Sequence, residues 1–549
     1  MQAQETGKGE AQLDRTVVVE NLYNPDIMNA NKINLLPTLE EPQATKKQIE
    51  YAEGTNPSNR FDFEPMANFG NIPHQTDAPK GYLRAGYGTN GNVDGRLSYQ
   101  FNWGMNDKLN ADIIFRGMDG KIEMPEIPSS EYEWDARTYR TTGTLDWTHY
   151  FNTLTLRIDA QGENQVFNYN NPSYIEDNHQ HNILGSLQAN LENGRSQSSI
   201  RFKAGTGLLY AQQKYAFRYR NDSESYREYN IRSHALVSGE IHQNSHISIA
   251  AQMDNLFIRP GGDYKHASHT VLQLNPYLQA QGEQWSMRLG LHIDPLFGNG
   301  EASVSWAPDL YGEYALGKSY HIYLQTTGGR TVNDFRTINR HAPYAGFPIF
   351  AEGNEGIGFY TPKHSYTPID GRLGFKATPM NELSLHIYGG YRIVDDYLFS
   401  TCQNSFADIH YCFLMQDKAN TLYARITAQY SWKDILTTQA SFEWNKWDAD
   451  LLEQYTTLTP EMVFHWSANI HPIKELNIGA SYQYEQRCKD YTGDRADAIN
   501  NVGVTASYRI SDKLTIYAQG DNLLNQKYNL DILHPAQGIN FLGGAVLEF

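Results

Sequence analysis

Two histidine pairs have spacings that could present imidazoles to a metal: His179 and His181 in NHQHN, and His266 and His269 in HASH. A closed site takes four ligands and an open one three, and neither pair comes with a third ligand or a Cys. A solvated loop explains both, so no metal ligand is assigned. The three cysteines are Cys402, Cys412 and Cys488. The first two stand in the loop-like stretch STCQNSFADIHYCFL, at a spacing that would close a disulfide in an oxidising compartment. Three unpaired thiols are the alternative, and no CxxC points to zinc. No nucleophile motif, Ser/His constellation or Gly-rich phosphate loop is present, so no catalytic residue, cofactor or enzyme activity is expected. What remains is surface chemistry. The stretch Gly329–Thr367 mixes Tyr, Phe, Pro, Arg and Gly, a composition suited to contact with a ligand. Its aromatic residues Tyr344, Phe347, Phe350, Phe359 and Tyr360 form the candidate contact surface; the simpler role is to cover whatever lies beneath.

The elements that must position these residues are strands. Of 549 residues, 13% are aromatic, including 37 Tyr, and 19% are charged. Disordered chains are poor in aromatics, so a mean hydropathy of -0.59 describes a polar fold rather than a disordered one. No apolar run approaches the roughly 18 residues of a membrane helix. The start, MQAQETGKGE, has no apolar signal-peptide core, which suits a mature exported form. A net charge of -17 argues against nucleic acid.

From about residue 80 onward one pattern repeats: an alternating stretch, a tight turn, a second alternating stretch. In GRLSYQFNWGMNDKLNADIIFRG, Leu97, Tyr99, Phe101, Trp103 and Met105 share one face, and Arg96, Ser98, Gln100 and Asn102 the other. Val502, Val504, Ala506, Tyr508 and Ile510 repeat the arrangement. Short turns at 106–107, 151–152, 193–194, 243–244, 282–283, 317–318, 380–381, 433–434, 473–474 and 511–512 define ten hairpins. With one strand at each end the total is about 22. The other connections include long polar loops at Gly120–Tyr139, Asn168–Asn182, Gly329–Thr367 and Ser400–Asn420. That alternation predicts an all-β fold, a closed transmembrane antiparallel β-barrel with short periplasmic turns and long extracellular loops. A propeller would show a blade repeat of about 40–45 residues, which is absent. Trp103, Trp147, Tyr150, Phe151, Trp432, Trp466 and Tyr508 suit an aromatic girdle, and Arg96, Arg157, Asp159, Arg392 and Arg509 a polar lumen. In lipid every backbone group must be paired, so the last strand, ending in Phe549, must pair with the first near Gly81–Gly88.

DNLLNQKYNL followed by GINFLGGAVLEF resembles the end of a TonB-dependent receptor of the outer membrane, with an Asn-Leu-(Leu/Phe)-x-x-x-Tyr stretch in the penultimate strand and a Gly-bearing final strand ending in Phe. The loops, and PIDGRLGFKATPMNELSLHIYGGYRIVDDYLF, resemble those of receptors from Bacteroidota. The resemblance covers roughly residues 80–549 and implies location in the bacterial outer membrane. It also implies that Phe549 belongs to the signal read by the barrel-assembly machinery. DRTVVVE, with Thr16, Val17, Val18 and Val19, resembles a TonB box, a strand that pairs with TonB. Its alternative is docking on the barrel's own periplasmic edge or on another subunit. Residues 1–79 are Asn- and Pro-rich with scattered apolar positions, which predicts an extended N-terminal segment in place of the family's plug domain.

A barrel of that width without a plug would leak. It could be closed by the N-terminal segment, by loops folded inward or by another protein. Two functions follow: transport across the outer membrane, gated by loops or a partner, or a non-transporting barrel subunit in an assembly with other outer-membrane or surface-lipoprotein subunits.

Overall fold

The computed structural model describes residues 80–549 apart from 124–132, 171–178, 195–198, 215–224, 243, 260–265, 299–300, 345–362, 405–409, 454–455, 490–492, 494, 496 and 532–533. Twenty-two antiparallel strands, from Gly81–Gly88 to Asn540–Glu548, pair each with the next and close into a barrel. All ten expected turns fall at the junctions of consecutive paired strands, as at Trp432/Leu436, although Asp107, Met380, Ile473 and Ser511 are the end residues of strands. The outer face carries an apolar belt that includes Leu97, Ile113, Leu145, Leu187, Ile249, Leu324 and Leu373, each exposed. Only a membrane makes such a belt favourable, and only closure satisfies its backbone.

Closure is made by the two ends of the described chain. The first strand pairs with the last from Tyr82↔Glu548 to Gly88↔Leu542. Gly81 N–H donates to Phe549 O at 2.6 Å, and Phe549 N–H to Gly81 O at 3.0 Å. Two glycines make room there. A Cβ on Gly544 would stand 2.3 Å from Ala85 O and 2.7 Å from the Tyr517 ring, and one on Gly86 would meet the Tyr517 hydroxyl. Tyr517 thereby lies flat against the seam, its hydroxyl 3.4 Å from Asp94, which also accepts from Arg84 at 2.8 Å.

Several strands run further than expected. Strands Asp107–Glu123 and Glu133–Tyr150 enter the span assigned to the loop Gly120–Tyr139. Their upper ends invert the pattern: Asp119, Lys121 and Glu133 face out, while Met118, Ile122, Trp134 and Ala136 pack inward. Above the bilayer the outside is water, so the polar face changes sides while the pairing continues. The strand His179–Glu192 likewise takes in His179 and His181. Strands Leu383–Asn404 and His410–Trp432 replace most of the loop Ser400–Asn420, so Cys402 and Cys412 stand on strands rather than in a loop. They are Cα register partners. The family-like stretch DNLLNQKY starts where the penultimate strand, Leu514–Asp521, stops. Asn522 has φ 46°, and its side chain binds the backbone of Gln526 and Gln537, ending the strand.

Trp103, Phe151, Trp432, Trp466 and Tyr508 are exposed on the outer face. Tyr150 departs from the girdle: its ring lies under the Lys108 ammonium at 5.6 Å, one residue out of phase with outward His149. Arg96, Arg157, Asp159, Arg392 and Arg509 take the lumen-facing parity. Arg96 donates to Asp112 at 2.8 Å, and Asp159 accepts from Asn190 at 3.1 Å.

Candidate functional site

The lumen is lined by charges that are largely matched: Arg140 with Glu163, Arg232 with Asp254, Arg288 with Asp309, Lys376 with Glu313. Such a lining is the polar interior of any wide barrel. The distinctive feature is the chain that enters it. Strand Tyr320–Thr331 pairs with strand Glu301–Leu316 only from Leu316↔Tyr320 to Leu310↔Thr326. The next position on the same edge is Pro308, which has no N–H to donate. Two residues on, the Trp306 carbonyl accepts from the Tyr366 hydroxyl of strand Ser365–Met380 at 2.5 Å. A side chain thus holds this junction where a ladder would.

Freed on that side, residues 327–331 bend inward. Their ladder to strand Ser365–Met380 shifts between Thr327 and Gly329. Gly328 has no room for a Cβ, which would lie 2.3 Å from Thr367 O and 2.8 Å from Ala307 Cβ. Gly329 has φ 124°, a conformation L side chains rarely adopt. Arg330 fixes the bend: its N–H donates to Asp294 at 2.7 Å and its guanidinium to Ser305 at 2.5 Å.

Asp334 then caps a short helix, Phe335–His341, accepting from Thr337 N–H at 2.9 Å. The Phe335 N–H donates to both carboxylate oxygens of Glu228 at 3.1 Å. Arg336 donates to Gly185 O at 2.7 Å, and Asn339 to Gln165 at 3.1 Å. Phe335, Ile338 and Ala342 form the apolar side. They share one buried cluster with Leu184, Tyr226, Leu256 and Ile258 on one stretch of wall and Leu398 and Leu414 on another. Burying the two larger side chains contributes about 1.5–3 kcal/mol each. Burial also pushes the His341 imidazole below its ordinary value; its ring packs edge-on against Tyr397 at 6.2 Å.

Tyr344 completes the span. Its ring stacks on His534 at 3.8 Å and meets Phe167 and Trp134 edge-on at 5.4 and 6.2 Å. Residues 332–344 therefore leave the thirteenth strand and end against the fourth and fifth, Glu133–Tyr150 and Thr155–Asn168. This is a bar across the upper lumen, made of the protein's own loop.

Of the five aromatic residues singled out in this loop, Tyr344 takes part in the bar; Phe347, Phe350, Phe359 and Tyr360 lie outside the described residues, as do Thr16, Val17, Val18 and Val19. The two histidine pairs are placed differently. His266 is exposed, and His269 turns the other way to pack on His364 at 5.3 Å. His179 and His181 face outward on one strand edge. Sequence reasoning missed Asp334, Phe335 and Ile338. Their signal was present: a helix-capping Asp followed by apolar residues at 335, 338 and 342, one face of a helix. Pro308 and Gly328–Gly329 mark the bend, but only their register shows that they act together.

No family model and no curated protein matches the sequence. Solved structures do. The FrpB iron transporter from Neisseria meningitidis (F5-1 variant) superposes with a TM-score of 0.69 at 11% identity, over 86% of this chain and 83% of its own. The siderophore receptor PirA from Acinetobacter baumannii gives 0.67 at 9% identity, over 86% and 81%. The ferripyoverdine receptor of the outer membrane of Pseudomonas aeruginosa gives 0.60 at 10% identity, over 86% and 72%. The chain thus has the closed 22-strand barrel fold of such receptors and transporters.

Proposed function

We propose that this chain is an outer-membrane barrel of the TonB-dependent receptor kind, acting in transport, in which its own loop 332–344 does the gating that a plug does elsewhere. The observation that carries this is the helix Phe335–His341, whose apolar side joins two separate stretches of the lumen wall. A purely structural barrel gains nothing from a bent strand, a capped helix and an aromatic anchor inside its lumen. A gate needs all three: a root at Gly329, a body that fills space and a releasable contact at Tyr344.

Residues 1–79 are then a periplasmic segment. Asp14–Glu20, with Thr16, Val17, Val18 and Val19, is the part suited to strand addition to TonB or to another subunit. Phe549, ordered by Gly81, is available as the signal for barrel assembly. The outer face meets outer-membrane lipids, and the exposed extracellular ends suit a surface lipoprotein partner. The substrate is a solute too large or too scarce for open porins.

Solute entry into proteoliposomes tests this reading. Vesicles with the intact chain should exclude oligosaccharides that enter vesicles holding a chain in which residues 333–344 are replaced by a short Gly/Ser linker. Equal exclusion by both would favour a sealed, non-transporting subunit. Removing Asp14–Glu20 tests strand addition; unchanged uptake and unchanged copurifying partners would dispose of it.

A further inference from the structure

The upper outer rim of the barrel is electrostatically uneven. On the hairpin of strands Asp107–Glu123 and Glu133–Tyr150, outward charges compensate one another: Lys121 with Glu133 at 2.9 Å, Arg137 with Asp119 at 3.0 Å. Around the strands His179–Glu192, Ile200–Gln213, Tyr226–His242, Ser245–Arg259 and Ala267–Gln281 they do not. Arg227 and Arg259 stand at their upper ends, with His181 and His266 on either side, and the outward face of these five strands carries no carboxylate among the described residues. This is notable in a chain of net charge -17.

Arg227 and Arg259 are the centre of the arc. They are Cα register partners on neighbouring strands, both exposed, and among the described residues neither has a carboxylate partner. Like charges directly opposed across a sheet are destabilising. An anion between them removes that cost, and two guanidiniums that can each donate twice suit phosphate oxygens. What lies beneath indicates where the anion is attached. Tyr229 sits under the Arg259 guanidinium at 5.7 Å, and Tyr210, whose hydroxyl donates to Gln212 at 2.8 Å, stands beside it. Exposed Phe257, Ile231, Leu208 and Ile249 continue downward into the apolar belt. Cations above aromatic rings above aliphatic side chains follow the order of a lipid: headgroup, interface, acyl chain.

We infer that this arc binds the phosphate of outer-leaflet lipid headgroups, with Arg227 and Arg259 sharing one phosphate. The inference rests on the barrel crossing an outer membrane and not on solute passage, so a sealed barrel would leave it intact.

The test uses the full chain in detergent, with native mass spectrometry of bound lipid as the readout. The probes are a glycolipid carrying two phosphates, its dephosphorylated form and inorganic phosphate. The unmodified protein should hold the phosphorylated lipid at least tenfold more tightly than the dephosphorylated one. The double variant Arg227→Gln/Arg259→Gln should lose that preference while keeping the heat-dependent gel shift of a folded barrel. Inorganic phosphate at the same phosphate concentration should not displace the lipid. Equal binding of the two lipids by the unmodified protein would overturn the inference, whatever the variant's yield. So would full retention by a folded variant, and displacement by inorganic phosphate would assign a free-anion site instead.

Discussion

The barrel wall has two junctions that glycine makes possible, and they use it in opposite ways. Where strands Gly81–Gly88 and Asn540–Glu548 meet, Gly86 and Gly544 let Tyr517 lie against the backbone, and the ladder is complete. Where strands Glu301–Leu316 and Tyr320–Thr331 meet, Pro308 ends the ladder, and Gly328 and Gly329 carry the chain off the wall into the lumen. The first junction is demanded by the membrane, since an open seam would expose unpaired backbone to lipid. The second lies toward the upper ends of the strands, where water and side chains such as Tyr366 can satisfy what the ladder leaves. A barrel can give up pairing only at its rim, and this one does so where it has a loop to send inward.

The largest expected effect is at the closed junction. Gly544→Leu places a side chain against Ala85 O and the Tyr517 ring, where nothing can give way without opening the seam. Overpacking alone costs about 1–3 kcal/mol, and lost pairing adds to it. Most of the chain should fail to show the heat-dependent gel shift of a folded barrel, whereas Gly312→Ala, whose Cβ meets nothing within 4 Å, should fold normally.

A middle-sized effect concerns the far wall of the bar. Cys402 and Cys412 are Cα register partners on the hairpin that also supplies Leu398 and Leu414. Cross-strand partners have Cα separations within the range a disulfide spans. Non-reducing peptide mapping should recover the two in one linked peptide. Cys402→Ser should then loosen the hairpin by about 2–3 kcal/mol, the stabilisation estimated for so short a closed loop. Its tip should show faster amide exchange.

Acidification should act next. Burial holds the His341 pKa below the ordinary value of about 6.5, so the imidazole docks neutral. A depressed folded-state value means that docking stability is complete above about pH 6.5 and falls as pH drops below it. Channel openings should become more frequent from pH 6.5 to pH 5, and His341→Gln should flatten that dependence. The smallest effect is that of Pro308→Ala. It restores one donor beside Gly328, worth about 0.5–1.5 kcal/mol, and should lengthen the ladder and mildly favour the undocked loop. Slower amide exchange at residues 326–330 would register it.

The barrel was legible in the sequence because its outer face alternates with lipid and its turns are short. Ten turn positions follow from that alone. The upper strand ends were not legible, because the sign of the alternation reverses above the bilayer, as at Met118 and Asp119. The bar was half legible. Tyr344 stood out as an aromatic residue in a binding-type loop, yet Phe335, Ile338 and Ala342 carry a helical period inside a stretch judged only by composition. The basic arc could not be read at all, since Arg227 and Arg259 are brought together by register, not by spacing.

The central claim is that residues 332–344 bar the lumen, and single-channel recording in planar bilayers measures it most directly. The intact chain should show small or rare openings. Phe335→Asp/Ile338→Asp places two charges in the apolar cluster and should produce a large, steady conductance while the protein keeps its gel shift. The same low conductance from a folded double variant would contradict the claim.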